Sequence, residues 1–277
     1  MRVTVEAEDA SQDPAATPLT FFGAEVQVER ERRGIKREEL AEAASCGYSL
    51  VAKIEAGKRT PSLEFARACD RLFPGSDGRF ERLWPLALKY AFPGWFQRYV
   101  SLEWKASAVR MFHPQLCPGL VQTERYARAV LRTGRPSNLE SLVTGRIERQ
   151  RILERESDPA RLWLVLNQAA LTNQVGDREV MHEQLAHLLV LAETPRHRVQ
   201  IVPDKGHHHG WASPFGILSF PDDQDVVHVD GFPRGYLLAE TEDVTRATDA
   251  YDLLMALALP PDESAELITD IQKERYS

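Results

Sequence analysis

"SCGYSLVAKIEAGKRTPS" (45–62) decides how the first third of this chain is read. Ser45–Gly47 make a small-residue turn, and from Tyr48 an apolar-spaced run carries Val51 and Ile54 on one side. Glu55, Gly57, the basic pair Lys58-Arg59 and Pro61 follow at once. The spacing predicts a helix of about two turns, from about Tyr48 to Ala56. Gly57 suits the left-handed position that ends a helix, and Ser62 suits the cap of the next one. Two readings compete: a helix that reads DNA, or a short core helix closed by an ordinary loop.

The residues just upstream bear on the choice. Gly34-Ile35 is followed by Glu38-Glu39-Leu40-Ala41, which predicts a preceding helix. Leu40, Val51 and Ile54 sit where two helices of a helix-turn-helix must pack, and Ala41 is small enough for the backbones to cross closely. Any small bundle could place three apolar residues this way. The ordered set E-E-L-A, I-E-x-G and R-x-P-S is more demanding. On that set, Phe22–Leu72 resembles the Xre-type helix-turn-helix family of phage-repressor-like regulators.

The resemblance implies that the third helix lies in the major groove of double-stranded DNA. With Val51 and Ile54 turned inward, Gly47, Tyr48 and Ser49 fall at its N-terminal end and Ala52 and Lys53 on its outer side. Tyr48 and Ser49 become candidates for base-edge or phosphate hydrogen bonds, and Lys53 for phosphate. Arg37 opens the second helix, where the family commonly has Gln near the sugar-phosphate backbone. Lys58 and Arg59 would also touch phosphate. Arg30 and Glu55 match family positions that form an internal ion pair, which would fix orientation more than add stability. Three residues depart from the family pattern. Glu29 falls where an aliphatic residue is usually buried, Lys36 replaces a capping Ser or Thr, and Leu50 replaces a small polar residue. Over residues 24–62 there are 8 basic and 7 acidic residues, a balance of only +1. Modest affinity per copy is therefore expected, with a homodimer supplying the rest.

The whole chain frames this module. Its 277 residues suffice for two domains, and 43% hydrophobic with 27% charged residues is a globular composition. A net charge of −7 argues against sequence-blind binding to polyanions, but not against one DNA-reading module on an acidic partner domain. Cys46, Cys69 and Cys117 are scattered, with no C-x-x-C spacing, which predicts reduced thiols and a cytoplasmic protein. No run is long and apolar enough to span a bilayer, and no leader opens the chain, so a soluble protein without a membrane role is expected.

Residues 1–20 are polar, acidic and broken by Pro14 and Pro18, which predicts a disordered tail. Residues 21–90 are punctuated into about five short helices, and a break near 91–94 marks the domain boundary. From 96 to 277 the text mixes periods. Strand-like runs occur at 108–112, 161–166, 198–202, 215–220 and 226–229. Helical stretches fall at 123–131, 139–156, 178–193, 242–258 and 262–273. The elements do not alternate as a βαβ repeat would require, so the expectation is an irregular α+β domain and an α+β protein overall.

This larger part resembles the C-terminal domain of the WhiJ-like regulators of actinomycetes. The resemblance rests on "CPGLVQTERYARAVL" (117–131), Arg146 with Arg149-Gln150, "VMHEQLAHLLVLAE" (180–193), "SPFGILSF" (213–220) and "ALPPDESAELI" (258–268). It implies a transcriptional regulator whose relatives are often encoded beside a small acidic partner protein. It brings no catalytic residues and no ligand. Read from the residues, these segments are mostly scaffold. Arg146, Arg149, Arg151 and Arg155 interleave with Glu148, Glu154 and Glu156, which favours a solvated or interhelical salt-bridged surface over a nucleic-acid face.

"KGHHHGW" (205–211) raises a metal hypothesis, but consecutive histidines in a strand alternate sides and no Cys or acid cluster adjoins them. No metal and no cofactor are expected. A pocket role for His208 and Trp211 stays open, with Asn167 and Asp230 standing where relatives often carry Glu. No P-loop, Rossmann fingerprint, G-x-S-x-G or H-E-x-x-H appears, so the protein is not expected to be an enzyme. The leading expectation is a sequence-specific DNA-binding transcriptional regulator whose second domain senses a small-molecule ligand or docks a small partner protein. The alternatives are a toxin–antitoxin-like interaction protein that binds DNA for autoregulation, or an enzyme with an unrecognised pocket.

Overall fold

The computed structural model describes residues 17–277 apart from 91, 93, 205–212 and 233. Helices α1 (Pro18–Arg32), α2 (Arg37–Ala43), α3 (Tyr48–Glu55), α4 (Leu63–Leu72), α5 (Arg79–Lys89) and α6 (Gly94–Glu103) come first. Then follow β1 (Ala108–His113), α7 (Glu124–Arg132), α8 (Leu139–Arg149), β2 (Arg161–Asn167), α9 (Ala169–Thr172), α10 (Arg178–Glu193) and β3 (Arg198–Val202). The chain ends with β4 (Phe215–Ser219), β5 (Val226–Val229), β6 (Tyr236–Leu238), α11 (Thr241–Leu257) and α12 (Pro261–Tyr276). These elements form two compact units. Residues up to 97 together with 140–148 make the first, and 98–139 with 149–277 make the second.

In the first unit α1 to α5 close around Phe22, Val26, Leu40, Val51, Ile54, Phe65, Phe80 and Trp84, all buried. Phe80 takes edge contacts from Phe22 at 5.7 Å and Phe73 at 5.5 Å between ring centroids. The expected tail over residues 1–20 is corrected at its end. Thr17 and Thr20 exchange hydrogen bonds as a capping box, and Pro18 occupies the first turn, where its missing N–H costs nothing. Residues 1–16 lie outside the described residues. Buried Glu29 is answered by basic side chains, pairing with Arg33 and with Arg79 Nη2 at 2.9 Å. Lys36 contributes no side-chain cap, and its own N–H donates to Glu39 Oε1 at 3.0 Å.

The second unit is built on one six-stranded sheet in the order β3-β2-β1-β4-β5-β6. β1, β2 and β3 run parallel, while β4, β5 and β6 continue as an antiparallel meander. The α+β class therefore holds for the chain as a whole. The expectation of no βαβ alternation does not, because helices connect β1 to β2 and β2 to β3 between parallel strands. One sheet face carries Phe112, Val165, Val202, Ile217 and Val227 and is covered by Tyr251 and Leu254 of α11. The opposite face buries Met111, Leu164, Leu166, Ile201 and Leu218. Burial on both faces explains why β2 reads as nearly continuous apolar sequence. The β3 edge is closed by α12, where Ser264 Oγ accepts from Ile201 N at 3.0 Å. Ser264 thus serves the sheet edge from the first turn of α12, which begins at Pro261.

Candidate nucleic-acid interface

Short side chains and turn geometry set α3 in place. Ser45 takes a left-handed φ of 50°, and Gly47 is the N-cap with no side-chain acceptor. Val51, Ile54 and Glu55 are buried, while Gly47, Tyr48, Ser49 and Lys53 are exposed and Ala52 is half-buried. The 3.6-residue period therefore separates an inner seam from an outer face over two turns. Gly57 ends the helix at φ 63°. Gly23 of α1 is the contact no sequence pattern flagged. A Cβ there would overlap the Ile54 carbonyl oxygen and stand 2.7 Å from that of Glu55. The closeness of α1 to α3 rests on that hydrogen atom.

Glu55 anchors the same helix by charge. Its carboxylate accepts from Arg30 Nε at 2.6 Å and Arg30 Nη2 at 3.2 Å, and the two side chains are only 1% and 9% exposed. Arg30 Nη1 also donates to the Ile35 carbonyl at 3.1 Å, so the guanidinium ties α1, the following turn and α3 together. Arg37 adds a third member, with Nε donating to Glu55 Oε2 at 2.7 Å and Nη1 lying 3.5 Å from the Tyr48 hydroxyl. The Glu55 hydrogen bond raises the Arg30 pKa above its ordinary value, and Tyr48 with Glu55 raises that of Arg37. Arg37 is therefore engaged within the domain, beside the tyrosine at the tip of α3. Its neighbour Tyr48 keeps 49% exposure.

Lys58 is exposed, but Arg59 is half-buried and meets Glu140 of α8 at 3.6 Å. Two backbone amides of the same segment also turn to α8. Thr60 N donates to Ser141 Oγ at 3.4 Å and Leu63 N donates to Glu148 Oε2 at 3.1 Å. Sequence reading missed this arrangement, because Arg59 and Glu140 stand far apart in the chain and α8 looks amphipathic by itself.

Of the residues expected to line a pocket in the second unit, the two that the structure describes, Asn167 and Asp230, stand apart. His208 and Trp211 lie outside the described residues. Asn167 ends β2 and accepts from Ala169 N at 2.8 Å, capping the start of α9. Asp230 follows β5 and lies 3.5 Å from His228 Nδ1. β1 and β4 run between β2 and β5, which puts roughly 14 Å between the two strands. A different group of polar residues is enclosed instead. Arg149 Nε meets Glu103 Oε2 at 2.8 Å, and Tyr99 stacks on His228 with centroids 4.1 Å apart. Arg149 is 5% exposed and pairs between helices, as one of the two alternatives expected, while Arg155 donates to the carbonyls of Trp104 and Ala106, so neither is simply solvated. Burial raises the Tyr99 pKa and lowers that of His228. Among the described residues no three His, Cys, Asp or Glu side chains are grouped to hold a metal ion, and no helix is long and apolar enough to cross a membrane.

Comparison with known families assigns these two parts separately. Residues 22–83 match a family described as a helix-turn-helix domain, which makes this the class of a DNA-binding regulator. Residues 96–270, more than half of the chain, match the family described as Domain of unknown function (DUF5753), and the chain belongs to that family. No curated protein and no solved structure matches the chain.

Proposed function

We propose that the protein is a sequence-specific transcriptional regulator that reads double-stranded DNA with α3. The observation that carries this is the division of α3. Its inner side is held by Val51, Ile54 and the Glu55 ion pairs, while Tyr48, Ser49 and Lys53 stand exposed along the other side. A short helix held rigidly from behind, with polar side chains at its N-terminal half, has what major-groove docking needs. On this reading Tyr48 and Ser49 supply base-edge or phosphate contacts and Lys53 and Lys58 neutralise phosphate. A homodimer compensates for the near-neutral charge of one module. The second domain senses a small molecule or docks a small acidic partner, and it is not an enzyme. The protein works in the cytoplasm and is of the WhiJ-like, actinomycete kind.

A mobility-shift titration on the region upstream of its own gene, across a salt series, tests the reading. Tyr48→Ala is expected to lower the preference for that sequence over a random duplex by about tenfold. Lys53→Ala is expected to weaken binding to every duplex and to flatten the salt dependence by about one counterion. Wild-type binding with no sequence preference would overturn the proposal.

A further inference from the structure

The segment that leaves the recognition helix presents donors suited to a phosphate: the Arg59 guanidinium, the Thr60 amide and the Leu63 amide that opens α4. Each of the three named above is taken by α8, through Glu140 on Arg59, Ser141 on Thr60 N and Glu148 on Leu63 N. Two of those three acceptors are carboxylates, which offer anionic oxygens to a cation and a helix N-terminus as a DNA phosphate would. Thr60 is 1% exposed and Glu148 6%, so α8 closes over this segment. Residues 140–148 nevertheless come from within the family match at 96–270, and the chain on both sides of them belongs to the second unit. An element of the large domain's sequence is thus folded into the helix-turn-helix unit at its basic exit.

We propose that α8 is a built-in anionic competitor for the DNA backbone, restraining DNA binding until it is displaced from the Arg59–Leu63 segment. This rests on the DNA-binding reading above and adds its regulation. It also gives the large domain a physical lever, since whatever repositions the chain at 139 and 149 pulls on α8. Glu140 itself is 53% exposed, so its pairing with Arg59 is replaceable by a phosphate.

The test is a coupling cycle on the full chain with a random-sequence duplex at low salt. Glu140→Gln should tighten binding about fivefold, and Glu148→Gln, which keeps a hydrogen-bond acceptor for Leu63 N, should do likewise. The Glu140→Gln gain should vanish when Arg59→Gln is already present, because the donor it competes for is gone. An equal gain in both backgrounds would mean only that a negative charge was removed, and would overturn the proposal; so would no gain at all. Should Glu148→Gln fail to fold, the cycle on exposed Glu140 decides alone. If wild type binds and the cycle shows no coupling, only the competitor idea falls. If neither wild type nor variant binds any duplex, the DNA-binding reading falls and takes this one with it.

Discussion

Glu55 concentrates more of the first unit's organisation than any other single residue of α3. Its carboxylate is nearly inaccessible and serves Arg30 and Arg37 together. Replacing it with alanine leaves the Arg30 guanidinium enclosed without its counter-charge, a situation that costs about 3 kcal/mol or more in comparable pairs. Glu55→Ala should therefore lower the urea midpoint of this unit sharply, whereas Lys53→Ala, at an exposed position, should leave it within experimental scatter. The Arg30–Glu55 pairing was legible in sequence through the resemblance to other helix-turn-helix proteins. The engagement of Arg37 was not. An arginine at the start of a helix carries no local mark of the carboxylate that the fold places 2.7 Å away.

At the scale of elements, glycine decides how α1 and α3 meet. Helix propensity alone predicts that Gly23→Ala should stabilise α1 by nearly 1 kcal/mol. The overlap of the new Cβ with two α3 carbonyl oxygens predicts the opposite, and forcing packed backbones apart costs about 1–3 kcal/mol. Thermal denaturation should show Gly23→Ala destabilised. Gly57→Ala should also lose stability, since Gly57 combines φ 63° with Thr20 Cγ2 only 2.7 Å from its added carbon. The two glycines differed in legibility. Gly57 followed a helix and preceded Pro61, so its conformation could be read from local chemistry. Gly23 sits mid-helix, where only the partner element gives it meaning.

Across the whole molecule, burial of imidazoles ties stability to pH. His187, His197 and His228 each have a pKa lowered chiefly by burial. For His228 the neighbouring charges are Asp230, which opposes the shift, and Arg149, which reinforces it, with the Tyr99 ring stacked alongside. The folded chain thus prefers neutral imidazole, while the unfolded chain takes up protons near pH 6.5. Their contribution is fully present above that value and is lost as pH falls below it toward the folded pKa values. Denaturation midpoints measured between about pH 8 and pH 5 should fall in this window, and His228→Gln should remove part of the slope. A pH-independent midpoint in that range would show that the imidazoles are not held neutral.

Local chemistry in the sequence determined most of the elements: Thr123 caps α7 as its hydroxyl predicts, and the apolar runs became β1 to β5. β6 escaped notice because three residues between Gly235 and a helix carry too little periodicity. The order of E-E-L-A, I-E-x-G and R-x-P-S likewise marks the helix-turn-helix in the sequence itself. Tertiary structure alone decided the rest. Strand direction in β1, β2 and β3, the Glu103–Arg149 pair and the docking of α8 beside Arg59 join residues tens of positions apart. Sequence spacing encodes which side of an element is apolar. Which partner meets that side depends on how the elements bury one another, and that is a property of the packed chain.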